Sequence, residues 1–189
     1  RGSEISKQGF SEEKMNTRMA TKEEMQTIYP PKAGLRVIRI SAEKWAELSE
    51  KAHLIVFNET KKPDMDRIDF ALLVESASGT PMQYATCREL DKESLYFQYG
   101  GSFPGTKGTI NSIRCLEHII NWSEFAGYKR ISFLVENTNE AMLKLAIRCG
   151  FLITGIRNFK GRILVEHLKE FPDIGQKEHL ESISRDACE

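Results

Sequence analysis

The sequence predicts an α/β fold of three layers, in which one mixed, mostly antiparallel sheet is flanked by helices. β-Rich runs separated by turn signals between residues 68 and 99 indicate an antiparallel meander. Two later segments repeat apolar residues at helical spacing, and the run between them at residues 131–135 is too short for a helix. A chain of 189 residues with 40% hydrophobic content can bury one core, so we expect these elements to share one sheet.

The predicted elements follow one another as strand, helix, three strands, loop, helix, strand, helix and two strands. The strands are expected at residues 35–40, 68–74, 83–88, 95–99, 131–135, 152–157 and 162–168. The run at residues 131–135 is almost entirely apolar, so we expect a central strand that is buried on both faces.

Three helices are indicated by caps, apolar stripes and stop signals. The residues able to cap them are Ser41 for the first, Thr109, Asn111 or Ser112 for the second, and Asn139 for the third. The stripes consist of Trp45, Leu48, Ala52 and Ile55; of Ile113, Leu116 and Ile120, extended by Trp122 and Phe125; and of Met142, Leu145, Ala146 and Cys149. Gly127 and Gly150 stand where a left-handed residue would end the second and third helices.

One domain is expected at residues 34–171, between a polar arm at residues 1–33 and a polar tail at residues 172–189. The 27 basic and 27 acidic side chains cancel, which disfavours binding to duplex nucleic acid. Apolar runs such as residues 54–57 are far shorter than the roughly 20 residues of a membrane helix. The first ten residues contain no apolar stretch. We therefore expect neither a membrane span nor a signal peptide.

The cysteines indicate a reduced protein. They are Cys87, Cys115, Cys149 and Cys188. Their spacing matches no zinc-binding pattern, and three of them lie in segments predicted to form the core, where a free cysteine acts as a small apolar residue. We therefore expect no metal site and a cytoplasmic location.

The segment at residues 99–151 combines a polar glycine-bearing loop, a helix, a strand and a second helix. A loop whose N–H groups precede a helix can bind a phosphate. The sequences GYKRI at residues 127–131, VENTN at residues 135–139 and the final Gly150-Phe151 resemble the central half of the GNAT superfamily of acyl-CoA-dependent N-acyltransferases. The resemblance covers roughly residues 35–171. It implies a central pair of parallel strands that splay apart, with the coenzyme A diphosphate on the loop and the pantetheine arm between the strands.

The resemblance implies a set of residues that bind coenzyme A. The family's loop motif, Q/R-x-x-G-x-G/A, falls on the sequence KGTINS at residues 107–112. Ile110 and Ser112 replace its glycine positions, so the loop has a divergent form in which Gly105 and Gly108 would supply backbone freedom. The implied cofactor-binding residues are Gly101, Ser102, Phe103, Lys107, Gly108, Thr109, Ile110, Asn111, Ser112 and Asn139. Within this set, N–H groups of residues 101–103 would polarise the thioester carbonyl, and Asn139 would contact the cofactor, cap its helix, or both.

The catalytic residues are less well marked. Ala146 stands where many GNAT relatives carry the tyrosine that protonates the departing thiolate, and Tyr99 or Tyr96 could replace it. An amine acceptor must lose a proton before it attacks, so a base is needed. The favoured bases are Glu136 and Glu89, followed by His53, and further carboxylates near strand ends are Glu75 and Glu166. His118 and His167 are expected on exposed faces.

The function implied is transfer of an acyl group, most simply acetyl from acetyl-CoA, to a primary amine by direct attack in a ternary complex. The acceptor is a small molecule or a peptide, and a homodimer is left open. Two alternatives stand beside this one. The same fold could use another activated acyl or aminoacyl donor, or a nucleobase amine as acceptor. It could also serve as an inactive GNAT-like protein for binding or regulation.

Overall fold

The computed structural model describes residues 34–58 and 66–172. The predicted arm, most of the polar loop after the first helix and nearly all of the tail lie outside this part of the chain. The strands are β1 (Leu35–Ser41), β2 (Phe70–Ser76), β3 (Pro81–Asp91), β4 (Ser94–Ser102), β5 (Arg130–Glu136), β6 (Leu152–Phe159) and β7 (Arg162–Glu170). The helices are α1 (Ala42–Phe57), α2 (Ile110–Phe125) and α3 (Glu140–Arg148).

All seven strands belong to one sheet in the order β1-β2-β3-β4-β5-β7-β6. Every neighbouring pair is antiparallel except β4 and β5, which are parallel. The strand that precedes α2 in the sequence, β4, therefore lies beside the strand that follows it, β5. The predicted order of elements and the fold class are confirmed.

The sheet carries a hydrophobic core on each of its two faces. On the α2 face, α2 and Ala146 of α3 pack against alternate residues of β1 to β5, including Leu95 and Phe133. On the α1 face, Trp45, Ala52 and Val56 of α1 pack against β1, β2 and β3. Alternate residues of a strand point to opposite faces, so one sheet can serve both cores.

The predicted caps are present. The side-chain oxygens of Ser41, Thr109 and Asn139 accept hydrogen bonds from first-turn N–H groups of α1, α2 and α3. Gly127 and Gly150, which follow the second and third helices, have φ angles of +93° and +80°. Such angles favour glycine, so these residues can end the helices where the sequence indicated.

Several predictions of burial were wrong. β5 is not buried on both faces: Ile131, Phe133 and Val135 are buried, but the residues between them are partly exposed. The reason is that α1 packs over β1, β2 and β4, so that no helix of the described residues covers the α1 face of β5. Phe125 is 59% exposed at the end of α2 rather than part of its packed stripe.

Two histidines expected on exposed faces are also buried. His118 lies on the packed side of α2, and His167 is fully buried in β7, where its ring stacks on Phe133. Within the described ranges, none of the helices has the length and apolar character of a membrane-spanning segment.

Candidate active site

The parallel strands β4 and β5 separate before they end. Their pairing runs only from Ser94 opposite Arg130 to Phe97 opposite Phe133, although β4 continues to residue 102 and β5 to residue 136. At the same point the register between β3 and β4 shifts, which leaves Gln98 as a bulge residue in β4. A bulge bends a strand, so β4 diverges from β5 here. The splayed pair implied by the resemblance is present, and we call the space between these strand ends the β4–β5 gap.

The backbone of β4 beyond the bulge has a defined direction of hydrogen bonding. The N–H of Tyr99 donates to Thr86 Oγ1 at 2.9 Å, and the N–H of Phe103 donates to the Met82 carbonyl at 2.9 Å. Both groups therefore point toward β3. Because N–H groups alternate along a strand, that of Gly101 also points toward β3, while those of Gly100 and Ser102 point toward the gap.

This direction changes the set of carbonyl-binding groups expected from the sequence. Ser102 remains, Gly101 and Phe103 turn away from the gap, and Gly100 is added. Gly101 instead has a packing role, because a Cβ at this position would overlap Val56 Cγ1 and lie 3.3 Å from Phe57 Cζ in α1. The bulge at Gln98 decides which N–H groups of β4 face the gap, and no feature of the β4 sequence predicts that bulge. Gly100 was therefore not among the groups that the sequence predicted to face the thioester carbonyl.

The loop at residues 103–109 is tied together by its own hydrogen bonds. The Phe103 carbonyl accepts from the N–H groups of Thr106 and Lys107, and the carbonyl of the buried Thr106 accepts from the N–H of Thr109 at 3.2 Å. Gly105 and Gly108 have φ angles of +87° and +75°. Two glycines outside the usual motif positions thus supply the conformational freedom, as the sequence suggested.

Ser112, which replaces one of the expected glycines, and Thr109 hold this loop through hydrogen bonds. Ser112 Oγ donates to the Thr106 carbonyl at 2.5 Å, and Thr109 Oγ1 donates to the same oxygen at 2.7 Å. Thr109 Oγ1 also accepts from the N–H of Asn111. The Ile110 side chain is 57% exposed, so it is not packed inside the loop. Ser112 and Thr109 therefore contribute structure, and Thr106 is a central loop residue that the sequence did not single out.

Anion-binding capacity at this loop rests on its backbone and on Lys107. The N–H groups of Gly108 and Ile110 make no hydrogen bond within the described residues. They stand at the start of α2, where the helix dipole favours negative charge. Lys107 is exposed between the two loop glycines. A phosphate could accept hydrogen bonds from these groups.

Asn139 and Ala146 have packing or capping roles. Asn139 Oδ1 accepts from the N–H of Met142 at 3.2 Å, and so the residue caps α3. Ala146 is fully buried in the core on the α2 face. An alanine has no proton to donate, so the acid that the resemblance implies at this position is absent.

Three candidate catalytic side chains come together on the α1 face beside the gap. The His53 ring meets Tyr99 edge-on with ring centroids 6.2 Å apart, and it also packs on Phe57. Tyr96 lies three residues before Tyr99 on the same face. Burial raises the pKa of the Tyr96 hydroxyl, and the charges of Arg157 and Glu166 also act on it.

The carboxylates are held in other ways. Glu136 lies at the end of β5 beside the gap, where its Oε1 forms a 2.7 Å ion pair with Arg162. Glu166 forms an ion pair with Arg157, and Glu75 is buried against Arg36. Glu89 does not lie near the gap. It pairs with Leu95 at the opposite end of β4 and accepts a hydrogen bond from Tyr128.

Comparisons with solved structures identify this architecture. A probable acetyltransferase of the GNAT family from Chromobacterium violaceum superposes with a TM-score of 0.57 at 12% identity, covering 74% of this chain and 84% of the other. The chain has the GNAT fold. Spermidine N-acetyltransferase from Vibrio cholerae, in complex with CoA and spermine, gives a TM-score of 0.56 at 13% identity, with 74% and 96% covered.

A third match to the GNAT fold is IAA acetyltransferase from Bacillus cereus. It gives a TM-score of 0.55 at 14% identity and covers 72% of this chain and 99% of the other. No protein-family model matches the sequence, and no curated protein matches it. The recognised motifs therefore predicted the fold correctly, even though overall sequence similarity to these structures is low.

Proposed function

We propose that residues 34–171 form an N-acetyltransferase that moves an acetyl group from acetyl-CoA to a primary amine. The observation that carries this proposal is the position of the β4–β5 gap. It opens at the same edge of the sheet as the anion-binding loop, and two backbone N–H groups of β4 face into it. The structure of the spermidine N-acetyltransferase with CoA supports the choice of cofactor.

The loop fits a diphosphate. A Cβ placed on Gly105 or Gly108 would meet no atom within 4 Å, so the backbone there is open to a ligand. The N–H groups of Gly108 and Ile110 would donate to phosphate oxygens, and Lys107 would add a positive charge. Asn111, in the first turn of α2, and Asn139, at the end of the gap, stay candidates for further contacts.

The chemistry on this chain follows from the direction of its N–H groups. When bound, acetyl-CoA supplies an acetyl group already activated as a thioester. The N–H of Gly100, with that of Ser102 beyond it, would donate to the thioester oxygen and stabilise the negative charge that develops during attack. No nucleophilic side chain is required, because orientation of two bound reactants accounts for a large part of such a rate enhancement.

Proton transfer is assigned to His53 and Tyr99. His53 would take a proton from the incoming ammonium group, since a neutral imidazole nitrogen can accept one. Tyr99, beside it on β4, would give a proton to the leaving thiolate, in place of the absent tyrosine at position 146, and would recover one from the nitrogen as the amide forms. Glu136 is a weaker candidate because its carboxylate is already engaged in an ion pair with Arg162.

Calorimetric titration with acetyl-CoA, followed by CoA-release assays with a panel of amines, tests the proposal. We expect saturable binding, and we expect His53→Gln to lower kcat while leaving acetyl-CoA affinity unchanged. Glu89→Gln is the matched control, because it keeps a hydrogen-bonding partner for Tyr128 far from the gap. Absence of binding at millimolar acetyl-CoA would overturn the assignment, and equal loss in the two variants would remove His53 from the mechanism.

A second function is favoured by the buried Ala146. A GNAT fold without the usual acid could bind an acyl-CoA and regulate another process without turnover. This alternative predicts saturable binding of acetyl-CoA, no CoA release with any amine, and no effect of His53→Gln on any measured property other than stability.

A further inference from the structure

One cationic side chain on the α1 face has no partner within the described residues. Arg88 lies in β3 directly opposite Tyr96 of β4, and residues paired in this way project from the same face of the sheet. Its side chain is half-buried. Four other arginines of the sheet form an ion pair or a cation–π contact, namely Arg36, Arg39, Arg157 and Arg162. Arg88 makes neither a hydrogen bond nor an ion pair in the part of the chain that is described.

The carboxylates near Arg88 do not neutralise it. Glu89, the next residue along β3, projects to the opposite face and accepts from Tyr128. Both oxygens of Glu166 are occupied by Arg157, with contacts of 2.9 Å to Nη2 and 3.2 Å to Nε. Glu136 is likewise paired with Arg162. Asp69, which precedes the Phe70 that pairs with Cys87, accepts a hydrogen bond from the N–H of Glu89 at 2.7 Å. Within the described residues, this face therefore holds the ion pairs Arg157–Glu166 and Arg162–Glu136, while Arg88 pairs with no carboxylate.

The distance from Arg88 to the proposed reaction centre follows from the register. Gly100 lies opposite Ala85, and Ala85 and Arg88 are three residues apart on β3. At the usual rise of a strand, the row formed by Gly100 and Ala85 and the row formed by Tyr96 and Arg88 are about 10 Å apart. Tyr99, which contacts His53, lies between the two rows on the α1 face, and Tyr96 lies on the same face opposite Arg88. An acceptor lying along this path would place its amine near Gly100 and its other end near Arg88.

We infer that Arg88 binds a carboxylate of the acceptor, so that the substrate is an amino acid or peptide whose amine is separated from its carboxylate by several bonds. This inference rests on the proposed function and specifies its substrate class. A half-buried guanidinium gains most from a planar anion that accepts two parallel hydrogen bonds. The same charge repels a polyamine, which carries cations at both ends.

Matched acceptors test the inference on the full chain. CoA release is measured with ε-aminocaproate and with n-pentylamine, which lacks only the carboxylate. It is then measured with γ-aminobutyrate and β-alanine, in which fewer carbons separate the amine from the carboxylate. We expect ε-aminocaproate to be preferred over n-pentylamine by roughly tenfold or more in kcat/KM, the range for a charge-assisted hydrogen bond. The preference should decline as the chain shortens.

The variants are Arg88→Met, Arg88→Lys and the control Arg130→Ala, which changes an exposed arginine at the far end of β5. Arg88→Met should abolish the preference while n-pentylamine is still acetylated, and Arg88→Lys should retain part of it. Arg130→Ala should behave as the unmodified protein. Calorimetry with N-acetyl-ε-aminocaproate gives a reading independent of turnover, and binding should be lost in Arg88→Met alone.

Two results would overturn the inference. One is equal use of the matched acceptors, and the other is a preference that persists in Arg88→Met. Preferred use of spermidine would also contradict it while leaving the acetyltransferase proposal intact. Absence of CoA release with every amine would instead contradict the proposed function. In that case the binding of the acetylated product to the protein still decides whether Arg88 recognises a carboxylate.

Discussion

Replacing Gly101 by alanine probes the contact that places α1 against the splayed end of β4. The new Cβ would overlap Val56 Cγ1 and lie 3.3 Å from Phe57 Cζ. Val56 is buried in the core on the α1 face, so its methyl group cannot simply swing into solvent. Overpacking of this kind costs about 1–3 kcal/mol, and the gain in strand propensity from alanine offsets only about 0.5–1 kcal/mol of it. We expect a net loss of up to about 2.5 kcal/mol in the free energy of unfolding.

The assay is a double-mutant cycle in which urea unfolding measures the stability of each variant. Val56→Ala removes the methyl group that clashes, so the double variant should lose about 0.5–1.5 kcal/mol less stability than the sum of the single variants. In the enzyme, Gly101→Ala should raise the KM for the amine more than the Kd for acetyl-CoA, because α1 carries His53. Additive effects on stability, or a stabilising Gly101→Ala, would show that α1 does not pack here as described.

Three further predictions concern stability and reactivity. His167→Phe should change the unfolding free energy by no more than about 1 kcal/mol, because it removes the Nδ1 hydrogen bond to the Val165 carbonyl but also a buried Nε2 that has no partner within the described residues, and it retains the stacking on Phe133; a loss well above that size, measured by urea unfolding, would indicate a further polar partner of the ring. Alkylation of the native protein near pH 8, followed by mass spectrometry, should modify Cys149 before Cys87 and Cys115. Burial raises the pKa of all three thiols, that of Cys115 to about 11 and that of Cys87 well above its usual range, but Cys149 alone of the three is partly exposed to the reagent; early labelling of Cys87 would contradict its burial. Burial also raises the pKa of Glu75, partly opposed by Arg36, so the folded state holds this proton more tightly than the unfolded chain and the contribution of Glu75 to stability falls as pH rises from about 4.5 through the folded pKa; Glu75→Gln should flatten the pH dependence of stability in that window, and an unchanged slope would argue against it.

Much of the fold could be predicted because local signals agreed with the tertiary structure. Ser41, Thr109 and Asn139 cap the helices they were expected to cap, and turn residues separate the strands of the meander. Burial was harder to predict. The apolar sequence of β5 suggested cover on both faces, but the extent of α1 decides that cover, and no pattern within β5 records it. His118 and His167 were misjudged for the same reason, since their surroundings come from distant segments.

The sequence predicted which segments form the candidate site better than it predicted which individual groups face it. Lys107 and the loop glycines follow from local sequence, because a loop before a helix has the same physics in any fold. The direction of the Gly100 N–H depends on a bulge at Gln98 that only pairing with β3 defines. Glu89 was favoured as a base because it ends a strand, but a sequence alone does not tell which end of the sheet that strand reaches. Arg88 was not singled out, since its lack of a partner is a property of the whole face.

Residue-resolved amide hydrogen exchange, with and without acetyl-CoA, tests the central claim most directly. We predict that the ligand slows exchange at Gly100 and Ser102 in the β4–β5 gap and at Gly108 and Ile110 in the loop. The amides of Tyr99 and Phe103, which already donate to β3, should change little. Slowed exchange confined to other parts of the chain, or no change at saturating acetyl-CoA, would contradict the assignment of the gap and the loop as the cofactor site.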